Sequence, residues 1–395
     1  MSVAAAMTVS LTPALSQRAR EMGSALCATF KLETFGRVPA MIDIRPGNDG
    51  DKSQILERVE DVYGAAEAER AERRWDWQWQ CDPRLDEPGY KGVVAEWRGR
   101  IIGTLSCLPA GLYIGGQPVR AHWCVDMLVH WGLMRQALRE QRRKKGGKSP
   151  ALSDGIAVAM LDHPAAGPIQ LAKHIADPMM SIILRIGFVA RPNTANMTRR
   201  VSLRWPLQKA LGRRLGPLVA AGADLAIPGI PRPRLNVQTL EGGFDARFDQ
   251  LWEAAKEEYP AITLRNSATL NWHYRQHPDT AYTVLTVGEG DVLRGYTVLK
   301  VFERRQRLLA RIVDLLARNG DSEAKSALIA GALEHARQEG AERAECFAAG
   351  IELTAVLQRL GFVPKLTRAN RTQPLMVRWL PDVDLYVTRG DGDGG

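Results

Sequence analysis

The sequence predicts an α/β protein in which one unit is built twice, two tandem copies of a mixed, mainly antiparallel sheet flanked by helices. Three observations predict it. Short elements recur in one order along the chain, strand-like and helix-like runs follow the same succession in both copies, and a stretch rich in proline and glycine lies between them. A chain of 395 residues also exceeds the size at which a single core stops growing.

The first recurrent element is Trp77-Gln-Trp79-Gln-Cys-Asp-Pro83, echoed by Trp272-His-Tyr274-Arg-Gln-His-Pro278, an aromatic pair followed by proline at one spacing. The second is Cys124-Val-Asp126-Met-Leu-Val, echoed by Ile312-Val-Asp314-Leu-Leu-Ala, each an apolar run around one carboxylate, as a buried strand reads. The third is Leu184-Arg185-Ile-Gly187-Phe188-Val189, echoed by Gln358-Arg359-Leu-Gly361-Phe362-Val363, a helix end passing through glycine into a strand. Each pattern alone is common, so the weight rests on their shared order. The offset shrinks toward the C-terminus, so the first copy carries extra residues between Asp126 and Gly187, and the segment Leu133 to Lys148 falls in that interval.

In the first copy, Ile55, Leu56, Val59 and Val62 at helical spacing predict a helix over 51–73. Strands follow at 92–97, 101–108, 119–124 and 125–129. Ser149 as N-cap and Pro150 at the first helical position open a helix to Leu161, and a second runs from Pro178 to Ile186. The second copy repeats the plan, with a helix at 246–258, strands at 282–287, 293–302 and 308–316, a helix at 322–339, a strand at 343–348 and a helix at 351–360. The expected domains are 41–205 and 237–395. The linker is 206–236, marked by Pro217, Pro228, Pro231 and Pro233. Residues 1–40, rich in Ala and Ser and without a signal-peptide apolar core, are expected to be a disordered leader; a transit peptide is the alternative.

Composition excludes several classes. The chain is 45% hydrophobic and 25% charged, with no apolar run that would span a bilayer. Its cysteines, Cys27, Cys81, Cys107, Cys124 and Cys346, stand singly, which fits a reducing cytoplasm and offers no zinc-site spacing. The net charge of +9 is concentrated at 135–148 and 199–214. That excess reads either as a solvated face or as a contact to phosphate; nucleic-acid binding has no motif behind it.

The order of strands, a strand opening onto a helix, then strand, short helix and Gly-Phe, resembles the GNAT (Gcn5-related N-acetyltransferase) superfamily. The resemblance covers about 41–204 and again 237–386. It is closest to tandem GNAT-like proteins of bacterial polysaccharide and cell-envelope pathways, which share the aromatic-x-aromatic-x-x-x-Pro element and a C-terminal Gly-Asp-x-Asp, here Gly390-Asp391-Gly392-Asp393. It implies acyl-CoA, acetyl or longer, as co-substrate and no metal. The acyl-CoA would lie where the fourth strand, with Leu128 and Val129, splays from its neighbour. The pyrophosphate would rest on a Gln/Arg-x-x-Gly-x-Gly/Ala loop at the next helix N-terminus, where glycines let the backbone approach and unpaired N–H groups meet the anion.

The match in the first copy is a basic loop, Arg143-Lys144-Lys145-Gly146-Gly147-Lys148, running into Ser149, with Lys148 where the family has Gly or Ala. A match without the insertion would start at Arg135 but meets Leu138 at the glycine position. The second copy offers Arg318-Asn-Gly320-Asp-Ser322, which places a carboxylate where phosphate would sit. The tyrosine that many family members use as general acid is replaced by Ile183 and Leu357. Asp126 and His130 are the candidate bases toward an attacking amine, with a structural carboxylate as the alternative for Asp126. The aromatic pairs fit either a sugar platform or helix-on-sheet packing. Gly147-Lys148-Ser149 ends like a P-loop, but Arg142 stands at its first glycine.

Two functions follow. One is acyl-CoA-dependent N- or O-acyl transfer to an amino-sugar, polysaccharide precursor or small amine. The other is a catalytically inactive GNAT-fold binding or accessory protein, suggested by the missing tyrosines and the degraded second loop.

Overall fold

The computed structural model describes residues 41–145, 152–173, 175, 177–192, 194–224, 227, 229–366 and 374–392. Its first half runs β1 (Ile42–Pro46), α1 (Lys52–Tyr63), α2 (Ala65–Trp79), β2 (Gly92–Trp97), β3 (Arg100–Pro109), β4 (Leu112–Ile114), β5 (Gln117–Val119), β6 (His122–Val129), α3 (Trp131–Lys145), α4 (Leu152–Asp162), β7 (Gln170–Ala172), α5 (Asp177–Arg185), β8 (Val189–Ala190), β9 (Thr194–Arg200) and α6 (Arg204–Ala223). The second half runs β10 (Val237–Thr239), α7 (Ala246–Lys256), β11 (Ala261–Thr263), α8 (Ser267–Tyr274), β12 (Thr283–Glu289), β13 (Val292–Arg304), β14 (Arg307–Ala317), α9 (Ser322–Gln338), β15 (Arg343–Ala349), α10 (Ile351–Arg359), β16 (Val363–Pro364), β17 (Met376–Arg378) and β18 (Leu385–Thr388).

The two halves build matching sheets. In the first, β1, β2, β3 and β6 are antiparallel neighbours and β6 pairs β7 in parallel. In the second, β10, β12, β13 and β14 are antiparallel and β14 pairs β15 in parallel. Asp126 on β6 and Asp314 on β14 therefore stand on equivalent strands. Each strand also carries an irregularity near its Asp, with register slips between Thr104 and Ser106 opposite β6 and between Val298 and Leu299 opposite β14.

Beyond the parallel pair the halves exchange strands. β17, from the end of the chain, inserts between β7 and β8 of the first sheet, and β9, from the first half, inserts between β15 and β16 of the second. Met376 thus packs in the first core, and Ala195 and Met197 in the second. A third core, with Trp75, Trp79, Tyr90, Trp123, Phe347 and Val387, is shared by both.

Three expectations change. The helix at 51–73 is broken at Gly64, whose φ of +92° only glycine adopts without cost, and α2 extends to Trp79. The insertion segment Leu133 to Lys148, whose end was expected to be the basic loop from Arg143, is helical as far as Lys145, because Leu133, Met134 and Ala137 share one buried face against the first core. The start of the stretch read as linker, 206–236, lies within α6.

Trp77 and Trp272 stack on each other, ring centroids 4.5 Å apart and planes 11° off parallel. Trp77 Nε1 donates to the Trp272 carbonyl at 2.9 Å, and Trp272 Nε1 donates to the Trp77 carbonyl at 2.7 Å. This reciprocal pair is buried where the halves meet, so the repeated aromatic element is packing and not a sugar platform.

Candidate functional site

β6 and β7 are paired only at His122–Gln170 and Trp123–Leu171; β7 ends at Ala172, while β6 continues to Val129. From Cys124 to Val129, β6 is held by β3 on one edge and, among the described residues, by no strand on the other. Its burial changes accordingly: Asp126 is exposed and Val125, Met127 and Val129 are partly so, whereas the matching run of β14, Ile312 to Ala317, is buried throughout. Backbone groups of alternate residues of an antiparallel strand face its free edge; His130 N bonds the Ile102 carbonyl on β3 and Leu128 stands opposite Thr104, so of the expected pair Val129 turns its amide and carbonyl to the gap while Leu128 turns its own to β3.

Asp126 is at the bulge, with φ at +49°, a left-handed conformation that a non-glycine residue adopts only under local constraint. Tyr63, at the end of α1, lies near it, and burial followed by the Asp126 charge raises the phenol above its ordinary range. His130 closes β6. Its Nδ1 accepts from Leu133 N at 3.0 Å, capping α3, and its Nε2 lies 3.5 Å from Asp61 Oδ2. The lone pair a base would use is thus spent on the helix start.

The base of the gap is closed by the far end of the chain. Lys173 donates to the carbonyls of Arg389, at 2.5 Å, and of Asp391, and lies over the Trp123 ring. Gly392, at φ +90°, passes so close that a Cβ there would be 3.3 Å from the Trp123 ring. Of the expected phosphate-loop residues, Arg143 falls in α3, and Gly146, Gly147, Lys148 and Ser149 lie outside the described residues.

In the second half the corresponding gap is filled. β18 runs antiparallel to β15 at Ala348 and Ala349, the residues past its pairing with β14. Gly390 N reaches the Val313 carbonyl at 2.7 Å and the Tyr386 hydroxyl reaches the Leu315 carbonyl at 2.6 Å. Asp314 is buried there and accepts from Arg265 Nε at 3.0 Å, the Tyr296 hydroxyl at 3.0 Å and the Thr388 hydroxyl at 2.8 Å. Arg265 continues to Asp391 at 2.7 Å; burial works against that carboxylate, but Arg265 and Lys173 hold it below its usual range.

The helix N-terminus beside this second gap is also occupied. Glu352, from the first turn of α10, accepts from Gly320 N at 3.0 Å, from the Ser322 hydroxyl at 3.2 Å and from Lys325, whose side chain is fully buried. Asp321 caps α9 through Ala324 N at 3.0 Å. Two carboxylates of the chain therefore satisfy donors that would otherwise receive an anion. Ile183 and Leu357, the positions expected to lack the family's acid, are both buried in apolar cores.

No protein-family model matches the chain, and no curated protein matches it in sequence. Solved structures do match in shape. A GCN5-related N-acetyltransferase from Anabaena variabilis superposes with a TM-score of 0.52 at 12% identity, covering 85% of this chain and 72% of its own. A conserved Enterococcus faecalis protein, a probable N-acyltransferase, gives 0.52 at 10% identity over the same shares, 85% and 72%. Saccharomyces cerevisiae N-myristoyltransferase with bound myristoyl-CoA gives 0.52 at 10% identity, covering 88% of this chain and 85% of its own. Each alignment spans both halves at identities that speak to architecture alone, and the fold of this chain is therefore the GNAT fold, built twice as in N-myristoyltransferase.

Proposed function

We propose that this chain is an acyl-CoA-dependent acyltransferase that takes one acyl-CoA, in the gap between β6 and β7 of its first half. The observation that carries this reading is the contrast between the two gaps: β18 and Glu352 fill the second, while on the first, among the described residues, β6 keeps an unpaired edge. Neighbours of the same fold include one with bound myristoyl-CoA. The cofactor's pyrophosphate falls to Arg143 and to Gly146, Gly147, Lys148 and Ser149, between the end of β6 and α4. Asp126, exposed at the bulge, is the group that takes the proton of an attacking amine or hydroxyl, and backbone amides of β6 polarise the acyl carbonyl. His130 serves by fixing where α3 starts.

For the acceptor, the tandem resemblance favours an amino-sugar, a polysaccharide precursor or a small amine. A second reading, a GNAT-fold protein that binds without catalysing, is favoured by the apolar residues Ile183 and Leu357 at the acid position.

Release of free CoA thiol from acetyl-CoA and longer acyl-CoAs, measured against amine and amino-sugar acceptors, separates the two. Acyl transfer predicts acceptor-dependent thiol release, and Asp126→Asn lowers kcat by roughly 100-fold or more with the KM for acyl-CoA nearly unchanged. Tight acyl-CoA binding with no thiol release under any acceptor supports the accessory reading instead.

A further inference from the structure

α6 is not one straight helix. Gly212 breaks it, at φ +80° and ψ +171°, and the segments on either side fold back on each other. The geometry follows from the ends. The Ser202 hydroxyl donates to Asp224 Oδ2 at 2.9 Å and Leu203 N donates to Asp224 Oδ1 at 2.5 Å, so the residues flanking a 20-residue helical segment touch. A straight helix of that length would hold them about 30 Å apart. The root is pinned to the second sheet, since Val201 N and Ser202 N both donate to the Glu342 carbonyl and Arg307 lies over the Trp205 ring. The turn itself stands clear: a Cβ built on Gly212 meets nothing within 4 Å. The first arm, of eight residues before Gly212, thus projects the turn about 12 Å from its root.

The outer part of this hairpin exposes apolar side chains, and its sequence is basic. Leu211, Leu215 and Val219, four residues apart in sequence, are 44%, 60% and 46% exposed. The hairpin's sequence carries Arg204, Lys209, Arg213 and Arg214, and no Asp or Glu stands between Arg199 and Ala223. The second half has no such insertion, because only the short loop 379–384 separates β17 from β18. Among the described residues, neither the shared core nor the strand exchange uses it. Exposed apolar residues scattered singly need no explanation, but three on one projecting hairpin, in a stretch whose sequence carries cations and no acid, form a surface with a definite complement. Like charge on both partners disfavours a second copy of this chain as that complement. Nucleic acid would leave the apolar positions unsatisfied. A bilayer bearing anionic lipid satisfies both features, its phosphates meeting the cations and its acyl boundary receiving the leucines.

We propose that this hairpin docks the protein onto the surface of an anionic membrane, with Leu211, Leu215 and Val219 entering the headgroup boundary. The contact is interfacial; no helix among the described residues is long and apolar enough to cross a membrane. Docking does not depend on acyl transfer, so the test needs no turnover. The full chain is sedimented with phosphatidylcholine vesicles, with and without a third of phosphatidylglycerol. The expected result is partitioning at least about tenfold stronger to the anionic vesicles, abolished by high salt. Arg213→Ala with Arg214→Ala weakens it by about tenfold or more, and Leu211→Glu with Leu215→Glu and Val219→Glu removes it, both variants keeping the wild-type thermal unfolding profile. The proposal is overturned if the wild type stays in the supernatant with both vesicles or if the folded variants bind as well as the wild type. A lipid-free dimer dissolved by the glutamate variant would also overturn it.

Discussion

Asp314 lies at 2% exposure among Arg265, Tyr296 and Thr388, whereas Asp126, at the corresponding place in the repeat, faces solvent. Truncating a member of a buried charge network leaves its partners desolvated and unpaired. Asp314→Ala should therefore cost roughly 3–5 kcal/mol in urea unfolding, and Asp126→Ala less than about 0.5 kcal/mol, although only the second touches the proposed chemistry. A similar loss from both would mean that Asp126 is structural. A second prediction concerns His122, whose imidazole is pulled down to about 4 by burial and by the Arg120 charge. It is neutral when folded and titrates at its ordinary range when unfolded. Its contribution is complete above pH 6.5 and is lost as pH falls toward 4, on the order of 3 kcal/mol. His122→Asn should flatten that limb of a pH–melting curve in part, since burial lowers the buried His273 in the same direction. An unchanged limb would show that His122 is not desolvated in solution.

At the scale of elements, the start of α9 shows how a helix N-terminus in the second repeat is satisfied from within the chain. Gly320 N, Ser322 and Lys325 form an anion cradle, and Glu352 fills it from within the chain. The donors around Glu352 outweigh its burial and keep its carboxyl below the usual range, so the cradle is occupied by charge at neutral pH. Glu352→Ala should destabilise by about 3 kcal/mol through the stranded Lys325 ammonium, and inorganic pyrophosphate should raise the melting temperature of the variant but not of the wild type. No pyrophosphate effect on the variant would remove the cradle from the account. The sequence announced part of this, since Asp321 already argued against phosphate there; Glu352 was invisible because α10 approaches only in the fold. The helix in the insertion Leu133 to Lys148 was hidden for another reason. Its apolar trio, Leu133, Met134 and Ala137, is a short helical signal set among many cations.

For the whole molecule, the repeat was legible because its elements are local: an aromatic pair, a strand with one carboxylate, a helix ending at glycine. The strand exchange was not. β9, of seven residues, and β17, of three, would pair within either sheet, and nothing in their residues states which sheet they join. The Trp77–Trp272 contact was hidden likewise, for spacing reveals that each tryptophan exists but not that each is the other's partner. Exchange and reciprocal stacking tie the halves together, so the filled second gap and the β6 edge that no described strand pairs belong to one assembly. The most direct test of that asymmetry is titration of the full chain with a photoactivatable acyl-CoA, followed by mapping of the adducts. One equivalent per chain, with adducts confined to β6 and the residues between β6 and α4, is the predicted result; two equivalents, or adducts on β14 and the start of α9, would contradict it.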